Sequence, residues 1–234
     1  MKEKAYKIVL NIGMKMMSAI FPDYFSREAL KPSNRYIEYP FAFRNLPKPP
    51  AKILDVGCVS SFFSLLLAGA GYETWGIDIR KYDIIKKIKF DNFKFSQGSI
   101  KKTDFPGDFF DAVTAISTLE HIGLSGRYGD KEDLSADKKA MNEMVRVIKP
   151  AGILLLTIPF GVPKIVRPHC KIYNFSSVQQ LIEGLPVEIE KEEYYMVDSQ
   201  GDWFKSSQEE AQVIDIKSID VDLSPLCLLK IVKK

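Results

Sequence analysis

The stretch KILDVGCVSSF, residues 52–62, runs from a short apolar segment through one glycine into a helical pattern. Lys52 to Val56 has the length and composition of a buried strand, and residues 60–70 have those of a buried helix. Gly57 stands at the turn between them, where a residue without a side chain lets the backbone approach a ligand closely. The first turn of the helix would offer free N–H groups to a carboxylate or a phosphate. Many α/β enzymes have such a turn, so the stretch predicts a binding loop without naming its ligand.

A second strand, residues 72–79, ends in the sequence Gly-Ile-Asp-Ile. Its acid, Asp78, follows Gly57 by about 20 residues, which is the length of one strand–helix–strand unit. A carboxylate in this place can accept hydrogen bonds from both hydroxyls of a ribose. Asp78 could instead cap a helix N-terminus, and Asp55 could be a structural carboxylate that holds its loop. Together, the glycine turn and the acid favour a ligand that contains a ribose.

The rest of the chain alternates strand and helix patterns, which predicts an α/β fold with a doubly wound, mostly parallel sheet. Apolar runs predict further strands at residues 93–96, 110–116, 153–158, 187–195 and 226–232, and helical periodicity predicts helices at 137–148 and 175–183. In such a sheet the ligand binds beyond the carboxyl ends of the strands, where the strand order reverses. The loops after Val56, Ile77, Phe95 and Ile116 are therefore expected to converge on one site.

The first 50 residues divide into two parts. Apolar residues recur at helical spacing from Ala5 to Ile20, with lysines on the opposite face, so this part predicts an amphipathic helix. Its apolar face could pack against the chain's own domain, or it could make a weak contact with a membrane surface or a partner. Residues 22–50 are rich in proline and aromatic residues, which predicts an ordered segment that wraps around the domain. The domain itself is expected to span 51–234, with a polar insertion around 198–224.

The composition and charge of the chain exclude several classes of protein. A length of 234 residues suits one α/β domain. The net charge of +3 is too small for a nucleic-acid-binding surface, and no run of about 20 apolar residues could span a membrane. Cys58, Cys170 and Cys227 show neither a pairing rhythm nor metal-ligand spacing. No metal is therefore expected, and the chain is expected to reside in the cytoplasm.

Six motifs follow one another between residues 52 and 160. They are ILDVGC at 53–58, GID at 76–78, QGSI at 97–100, FFDAV at 109–113, STLEH at 117–121 and VIKPAG at 147–152. In content and spacing they resemble the motifs of the class I S-adenosylmethionine-dependent methyltransferases. Three shorter stretches, residues 120–123, 127–130 and 159–161, are similar to those of uncharacterised prokaryotic members. The resemblance implies a Rossmann-like sheet of seven strands whose last strand, residues 226–232, inserts antiparallel.

The same resemblance implies S-adenosylmethionine as the cofactor, with S-adenosylhomocysteine as its product, and it implies which residues bind it. The cofactor-binding residues would be Asp55, Gly57, Cys58, Ile116 and Ser117 toward the methionine end, and Asp78, Ile79, Ser99 and Ile100 toward the adenine end. Asp78 would bind the ribose, Ile79 would pack on the adenine, and Ser117 would face the sulfonium. Arg35 and Tyr39 of the wrapping segment could close over the carboxylate of the cofactor.

His121 is the candidate catalytic residue. It follows the fourth strand on the acceptor side of the cofactor, and its charge can change near neutral pH. For a hydroxyl acceptor it could be the base that removes the proton. It could instead form the wall of the pocket, bind the cofactor or be structural. The loop from Gly123 to Gly129 would overhang the acceptor, where Arg127 would suit a carboxylate or a phosphate.

These residues predict methyl transfer to a small-molecule acceptor, with a hydroxyl of a sugar or of a lipid-linked intermediate as the candidate. Two departures from the family pattern favour an alternative, a non-catalytic cofactor-binding or scaffold protein. Val59 and Ser61 stand where the first loop commonly has glycines, and Ser99 replaces a common Asp. A nicotinamide-dependent dehydrogenase is disfavoured, because Val59 and Phe62 do not supply the glycines that a pyrophosphate needs.

Overall fold

The computed structural model describes residues 33–59, 61–82, 90–126, 128–198, 201–216 and 224–234, together with Met16. Apart from Met16, the helix predicted at 5–20 lies outside the described residues, and so does Arg127. Within the described ranges, no helix is both long and apolar enough to cross a membrane.

The described elements alternate as the sequence pattern predicts. The strands are β1 (Lys52–Val56), β2 (Glu73–Asp78), β3 (Phe93–Gln97), β4 (Phe110–Ile116), β5 (Ile148–Pro159), β6 (Lys164–Val166), β7 (Cys170–Ile172), β8 (Val187–Val197), β9 (Trp203–Ser206) and β10 (Leu226–Lys233). The α-helices are α1 (Arg35–Asn45), α2 (Phe63–Gly69), α3 (Ala136–Val147), α4 (Phe175–Ile182) and α5 (Gln208–Gln212), and a 3-10 turn covers Leu119–His121.

One sheet of eight strands has the order β3-β2-β1-β4-β5-β10-β8-β9. The first five strands of this order pair in parallel, and β10 pairs antiparallel with both β5 and β8. The predicted doubly wound sheet with an antiparallel last strand is therefore confirmed. β9 adds an eighth strand at the edge, antiparallel to β8. The pattern does not predict β9, because its four residues lie in the segment expected to be a polar insertion.

Helices cover both faces of the sheet, and this explains why its central strands are apolar on both faces. Met141 and Met144 of α3 and Leu181 of α4 belong to the cluster of buried side chains on one face. Phe41 of α1 and Phe63 of α2 belong to the cluster on the other. The wrapping segment thus completes the second face of the core.

The helix α1 within the wrapping segment is not predicted by the sequence pattern. It contains Pro40, and a proline lacks the N–H that an interior helical residue donates. Phe41, the next residue, is fully buried, and the ring centres of Tyr39 and Phe63 lie 4.8 Å apart. Tertiary packing thus keeps the helix continuous across the proline.

The strand β5 begins earlier than predicted. The sequence Pro150-Ala151-Gly152 predicts a turn before residue 153, yet it lies inside the strand, where Ala151 adopts a φ of +60°. The pairing register with β4 shifts between Phe110 and Ala112, which is the signature of a β-bulge. The turn residues are accommodated in the sheet by this irregularity.

A small hairpin, β6 with β7, stands outside the main sheet. Lys171 of this hairpin is buried, and its Nζ lies 2.8 Å from Oδ2 of Asp137 on α3. The hydroxyl of Tyr173 donates to the same carboxylate oxygen at 3.1 Å. This buried ion pair fastens the hairpin to α3.

Lys171→Met should lower the free energy of unfolding by about 3–5 kcal/mol, because it leaves the carboxylate of Asp137 buried without its cation. Lys139→Met on the same helix removes an exposed pair with Asp133 and should cost less than about 1 kcal/mol. The double variant Lys171→Met with Asp137→Asn carries neither charge and keeps an acceptor for Tyr173, so it should recover most of the loss. Urea unfolding of the four proteins measures this. Equal losses for Lys171→Met and Lys139→Met would contradict it.

Candidate functional site

A cavity of about 450 Å³ opens at the carboxyl ends of β1 to β4, where the strand order reverses between β1 and β4. Of the residues predicted at the site, it brings together Gly57, Asp78, Ile79, Ser99, Ile100, Ile116, Ser117 and His121. Residues from α1 and from the loop after the 3-10 turn complete the lining. The volume is in the range of small-molecule and cofactor sites.

Gly57 allows the loops after β1 and β4 to meet. Its φ is +77°, and a Cβ at this position would lie 2.4 Å from Oγ1 of Thr118. Oγ1 of Thr118 lies 3.1 Å from the carbonyl oxygen of Val56 and 3.0 Å from that of Ile116. The backbone N–H of Gly57 donates to the carbonyl of Ile77 at 2.8 Å. Any larger residue would therefore separate the loops after β1 and β4, which form part of the cavity.

Asp55 and Cys58 lie beneath this loop and do not line the cavity. The carboxylate of Asp55 accepts hydrogen bonds from the hydroxyls of Ser64 at 2.5 Å and Thr114 at 2.9 Å. Cys58 points toward Gly76 of β2, where a Cβ would come within 2.7 Å of its sulfur. The expectation for both residues changes from contact with the cofactor to support of the loop.

Asp78 faces the cavity from the end of β2, and donors of the protein surround its carboxylate. Oδ2 accepts from the backbone N–H of Val59 at 3.0 Å, and Oδ1 accepts from that of Arg80 at 2.9 Å. The guanidinium of Arg80 spans both oxygens, with Nε 3.1 Å from Oδ1 and Nη2 2.9 Å from Oδ2. No motif predicts Arg80, although it stands two residues after the predicted acid.

Arg80 also connects two parts of the rim. Its Nη2 donates to the carbonyl of Val59 at 2.6 Å, and its guanidinium carbon lies 4.5 Å from the centre of the Tyr128 ring. Tyr128 and Asp130 line the cavity. Asp130 is held by Nζ of Lys101 at 2.7 Å; although burial opposes it, this hydrogen bond lowers the pKa of Asp130. The loop after the 3-10 turn is thereby fixed at the rim of the cavity.

Ser117 directly follows β4 in an unusual backbone conformation, with a φ of +43°. Its N–H donates to Oγ1 of Thr157 at 2.9 Å, and its hydroxyl donates to Oε1 of Glu38 at 2.5 Å. Glu38 is fully buried on α1, and sequence reasoning missed it. A glutamate within an aromatic run, three residues after Arg35, is the signal that could have drawn attention to it.

His121 lines the cavity at the end of the 3-10 turn. Its Nδ1 lies 2.6 Å from the carbonyl oxygen of His169; because a carbonyl only accepts, Nδ1 carries a proton. Its Nε2 lies 3.5 Å from Oε1 of Glu120, and its ring meets that of Tyr128 edge to face at 5.0 Å. In a neutral ring Nε2 is therefore the unprotonated nitrogen.

Comparison with known proteins agrees with this architecture. Residues 54–156 match a family model described as a methyltransferase domain. A sterol 24-C-methyltransferase of Gibberella zeae is 34% identical over 151 residues, which are 61% of this chain and 34% of that protein. A SAM-dependent methyltransferase of Methanosarcina mazei superposes with a TM-score of 0.59 at 17% identity, over 83% of this chain and 97% of that one. The 4+2 cyclase SpnF superposes with a TM-score of 0.62 at 17% identity, over 85% of this chain and 80% of that one.

The sheet order, the cavity at its switch point and the positions of Gly57 and Asp78 are typical of Rossmann-like domains, which bind nucleosides at this point of the sheet. Residues 54–156 match a methyltransferase domain, in agreement with the motifs that resemble those of the class I S-adenosylmethionine-dependent methyltransferase superfamily. S-adenosylmethionine is the cofactor of this superfamily. The cavity fits such a ligand, because Asp78 presents a carboxylate to it and the apolar side chains of Ile79 and Ile100 line it. The chain spans about a third of the length of the sterol methyltransferases that it matches.

Asp78→Ala should weaken binding of S-adenosylhomocysteine by about 1.5–3 kcal/mol, the range for losing hydrogen bonds to a charged group. Calorimetric titration measures this, with NAD as the control ligand. Asp111→Ala is the matched protein control, because Asp111 is also paired with a cation, Lys149, but does not line the cavity. An unchanged dissociation constant in folded Asp78→Ala would show that another residue binds the ribose.

Asp55→Asn should change how stability depends on pH. Burial raises the pKa of Asp55 from 3.8 to about 6, against the hydrogen bonds from Ser64 and Thr114. Between these values the unfolded chain has released the proton that the folded chain keeps, so ionisation destabilises the fold as pH rises, by about 3 kcal/mol in total. The variant cannot ionise. Its stability relative to the parent should therefore rise by most of that amount from pH 4 to pH 7 in urea unfolding; parallel curves would show that folding does not raise the pKa of Asp55.

Proposed function

We propose that this chain transfers the methyl group of S-adenosylmethionine to a hydroxyl of a small-molecule acceptor, with His121 as the base. The observation that carries the proposal is the fixed orientation of the His121 ring at the cavity wall. Its Nδ1 is held by the carbonyl of His169, which leaves Nε2 as the nitrogen that can accept a proton. The sterol 24-C-methyltransferases that match part of the chain favour a lipid acceptor over a free sugar, although their name gives a carbon as the methylated atom.

The residues that hold the cofactor would act mainly by orienting it. Correct orientation of the reacting groups can supply a large part of the rate acceleration in a displacement reaction. Asp78 would accept hydrogen bonds from the ribose hydroxyls. Ile79 and Ile100 would pack on the adenine with Ser99 at its edge, while the Gly57 loop, Ile116 and Ser117 would border the methionine part. When bound, S-adenosylmethionine supplies an electrophilic methyl group.

The acceptor side has its own proton path. His121 would take the proton of the acceptor hydroxyl at Nε2, and Oε1 of Glu120, 3.5 Å away, would stabilise the imidazolium that forms. The carbonyl of His169 keeps the ring from rotating. Edge-to-face contact with Tyr128 encloses the same ring and limits the access of water.

A non-catalytic cofactor-binding role is the second candidate. The observation that favours it is the first loop, where Val59 and Ser61 line the cavity in place of the glycines that are common there. The similarity to SpnF also indicates that this fold occurs in a protein named as a cyclase. Under this candidate the protein binds S-adenosylhomocysteine, but no acceptor in a broad panel yields a methylated product.

His121→Ala should lower turnover by roughly 10²–10⁴-fold, the usual contribution of a general base, while the affinity for S-adenosylhomocysteine changes little. The parent's rate should also fall at acidic pH as Nε2 becomes protonated. A panel of sugars and lipid-linked hydroxyl compounds, screened by mass spectrometry for methylated product, first identifies the acceptor. His169→Ala is the matched control, because its carbonyl contact with His121 comes from the backbone.

Full turnover of His121→Ala at saturating cofactor and neutral pH would remove it from catalysis. Weakened cofactor binding with normal turnover at saturation would instead make His121 a cofactor ligand.

A further inference from the structure

The buried carboxylate of Glu38 joins α1 to the sheet at the edge of the cavity. Its Oε1 accepts from the hydroxyls of Ser117 at 2.5 Å and Thr157 at 2.6 Å, and its Oε2 accepts from Nη1 of Arg35 at 2.5 Å. A charge removed from water is tolerated only when it is paired and hydrogen-bonded in this way. Glu38 therefore sets the position of Arg35 relative to the ends of β4 and β5.

Arg35 lies at the cavity end that the Gly57 loop and Ser117 form, and its side chain is about one third exposed (37%). A guanidinium has five N–H donors. Among the described residues, hydrogen bonds to Arg35 engage only Nη1, through Glu38. Its remaining donors are thus available to a ligand in the cavity.

Arg35 supplies the guanidinium at this end of the cavity. Asp55, Glu38 and Glu120 are three buried acids close to it. Of the described residues that line the cavity, the other guanidinium belongs to Arg80, which is bound to Asp78 at the opposite end. Without Arg35, a ligand carboxylate at this end would meet negative charge alone.

We propose that Arg35 binds the carboxylate of the methionine part of the cofactor and that Glu38 is its positioning residue. A planar guanidinium suits a carboxylate, since both present paired atoms in one plane. Because Glu38 holds Arg35 and Ser117 together, the carboxylate contact and the loop that faces the methyl group keep one relative position. This inference rests on the proposed cofactor site and assigns α1 a part in recognising the ligand.

The test compares ligands that differ only at the methionine end, by calorimetric titration of the full chain. The ligands are S-adenosylhomocysteine, its decarboxylated analogue, and 5′-methylthioadenosine, which lacks the amino-acid portion. Arg35→Met keeps the apolar stem and removes the charge. It should weaken S-adenosylhomocysteine about 10- to 100-fold, the range for hydrogen bonds to a charged group, and leave the other two ligands within about twofold of the parent.

Glu38→Gln tests the positioning role, because it keeps a hydrogen-bond acceptor for Ser117 and Thr157 but loses the ion pair. It should weaken only S-adenosylhomocysteine, and by less than Arg35→Met does. Arg44→Met is the matched control: Arg44 is on the same helix, does not line the cavity and lies 4.0 Å from Glu193. It should leave the binding of all three ligands unchanged.

Equal weakening of all three ligands by Arg35→Met would overturn the proposal and make Arg35 a structural residue. Unchanged binding of S-adenosylhomocysteine together with a raised KM for the acceptor would overturn it too, because Arg35 would then face the acceptor. If the parent protein binds none of the three ligands, the proposed function fails as well, so the two failures are distinguishable. Arg35→Met is sufficient for these decisions even if Glu38→Gln does not fold.

Discussion

The site exists because β1 and β4 are neighbours in the sheet and their following loops run to opposite faces, yet still touch. The touching point is Gly57 against Thr118, where even one additional carbon atom would overlap the threonine side chain. Thr118 lies within hydrogen-bonding distance of the last carbonyl groups of both strands. The cavity therefore opens directly beyond the contact between Gly57 and Thr118, and this contact sets the relative positions of the loops that line it.

Three buried carboxylates lie near this contact, and each has a different set of hydrogen-bond and ion-pair partners. Asp55 has only hydroxyl donors, so burial raises its pKa to about 6. Asp78 is matched by the guanidinium of Arg80 and by two backbone N–H groups. Glu38 combines both solutions, with one guanidinium and two hydroxyls. Of these three acids, Asp78 lines the cavity itself, whereas Glu38 acts through Arg35 and Ser117, which line it.

The sequence predicts much of this arrangement wherever the signal is local. Strand periodicity and the spacing of Gly57 and Asp78 locate the sheet and the cavity, because a strand and the turn after it are short-range features. Glu38 could not be found in this way, since its partner Thr157 is 119 residues distant. Arg80 was missed because no common motif contains it. The helix α1 was missed because Pro40 disfavours a helix in the sequence pattern, whereas tertiary packing stabilises one.

Orientation was a second limit of the sequence. Asp55 and Cys58 stand in the loop motif, but residue type and spacing do not say whether a side chain points to the cavity or to the core. Asp55 lies on β1, where successive side chains point to opposite faces of the sheet, and its partner Ser64 lies on α2. Once α2 is placed, its position decides that Asp55 supports the loop from below.

The family match covers residues 54–156, and its bounds divide the groups around the cavity into two sets. The groups proposed to hold the ribose and the adenine lie inside the matched range, whereas Arg35, Glu38 and the carbonyl of His169 lie outside it. His121 is inside the range, but its orientation depends on the loop that carries His169. Since one fold can carry different activities, the groups outside the matched range are where this protein can differ from structural neighbours that include methyltransferases and a cyclase. What distinguishes this protein from its relatives should thus be sought in α1 and in the loop before β7, which face the cavity from outside the shared domain.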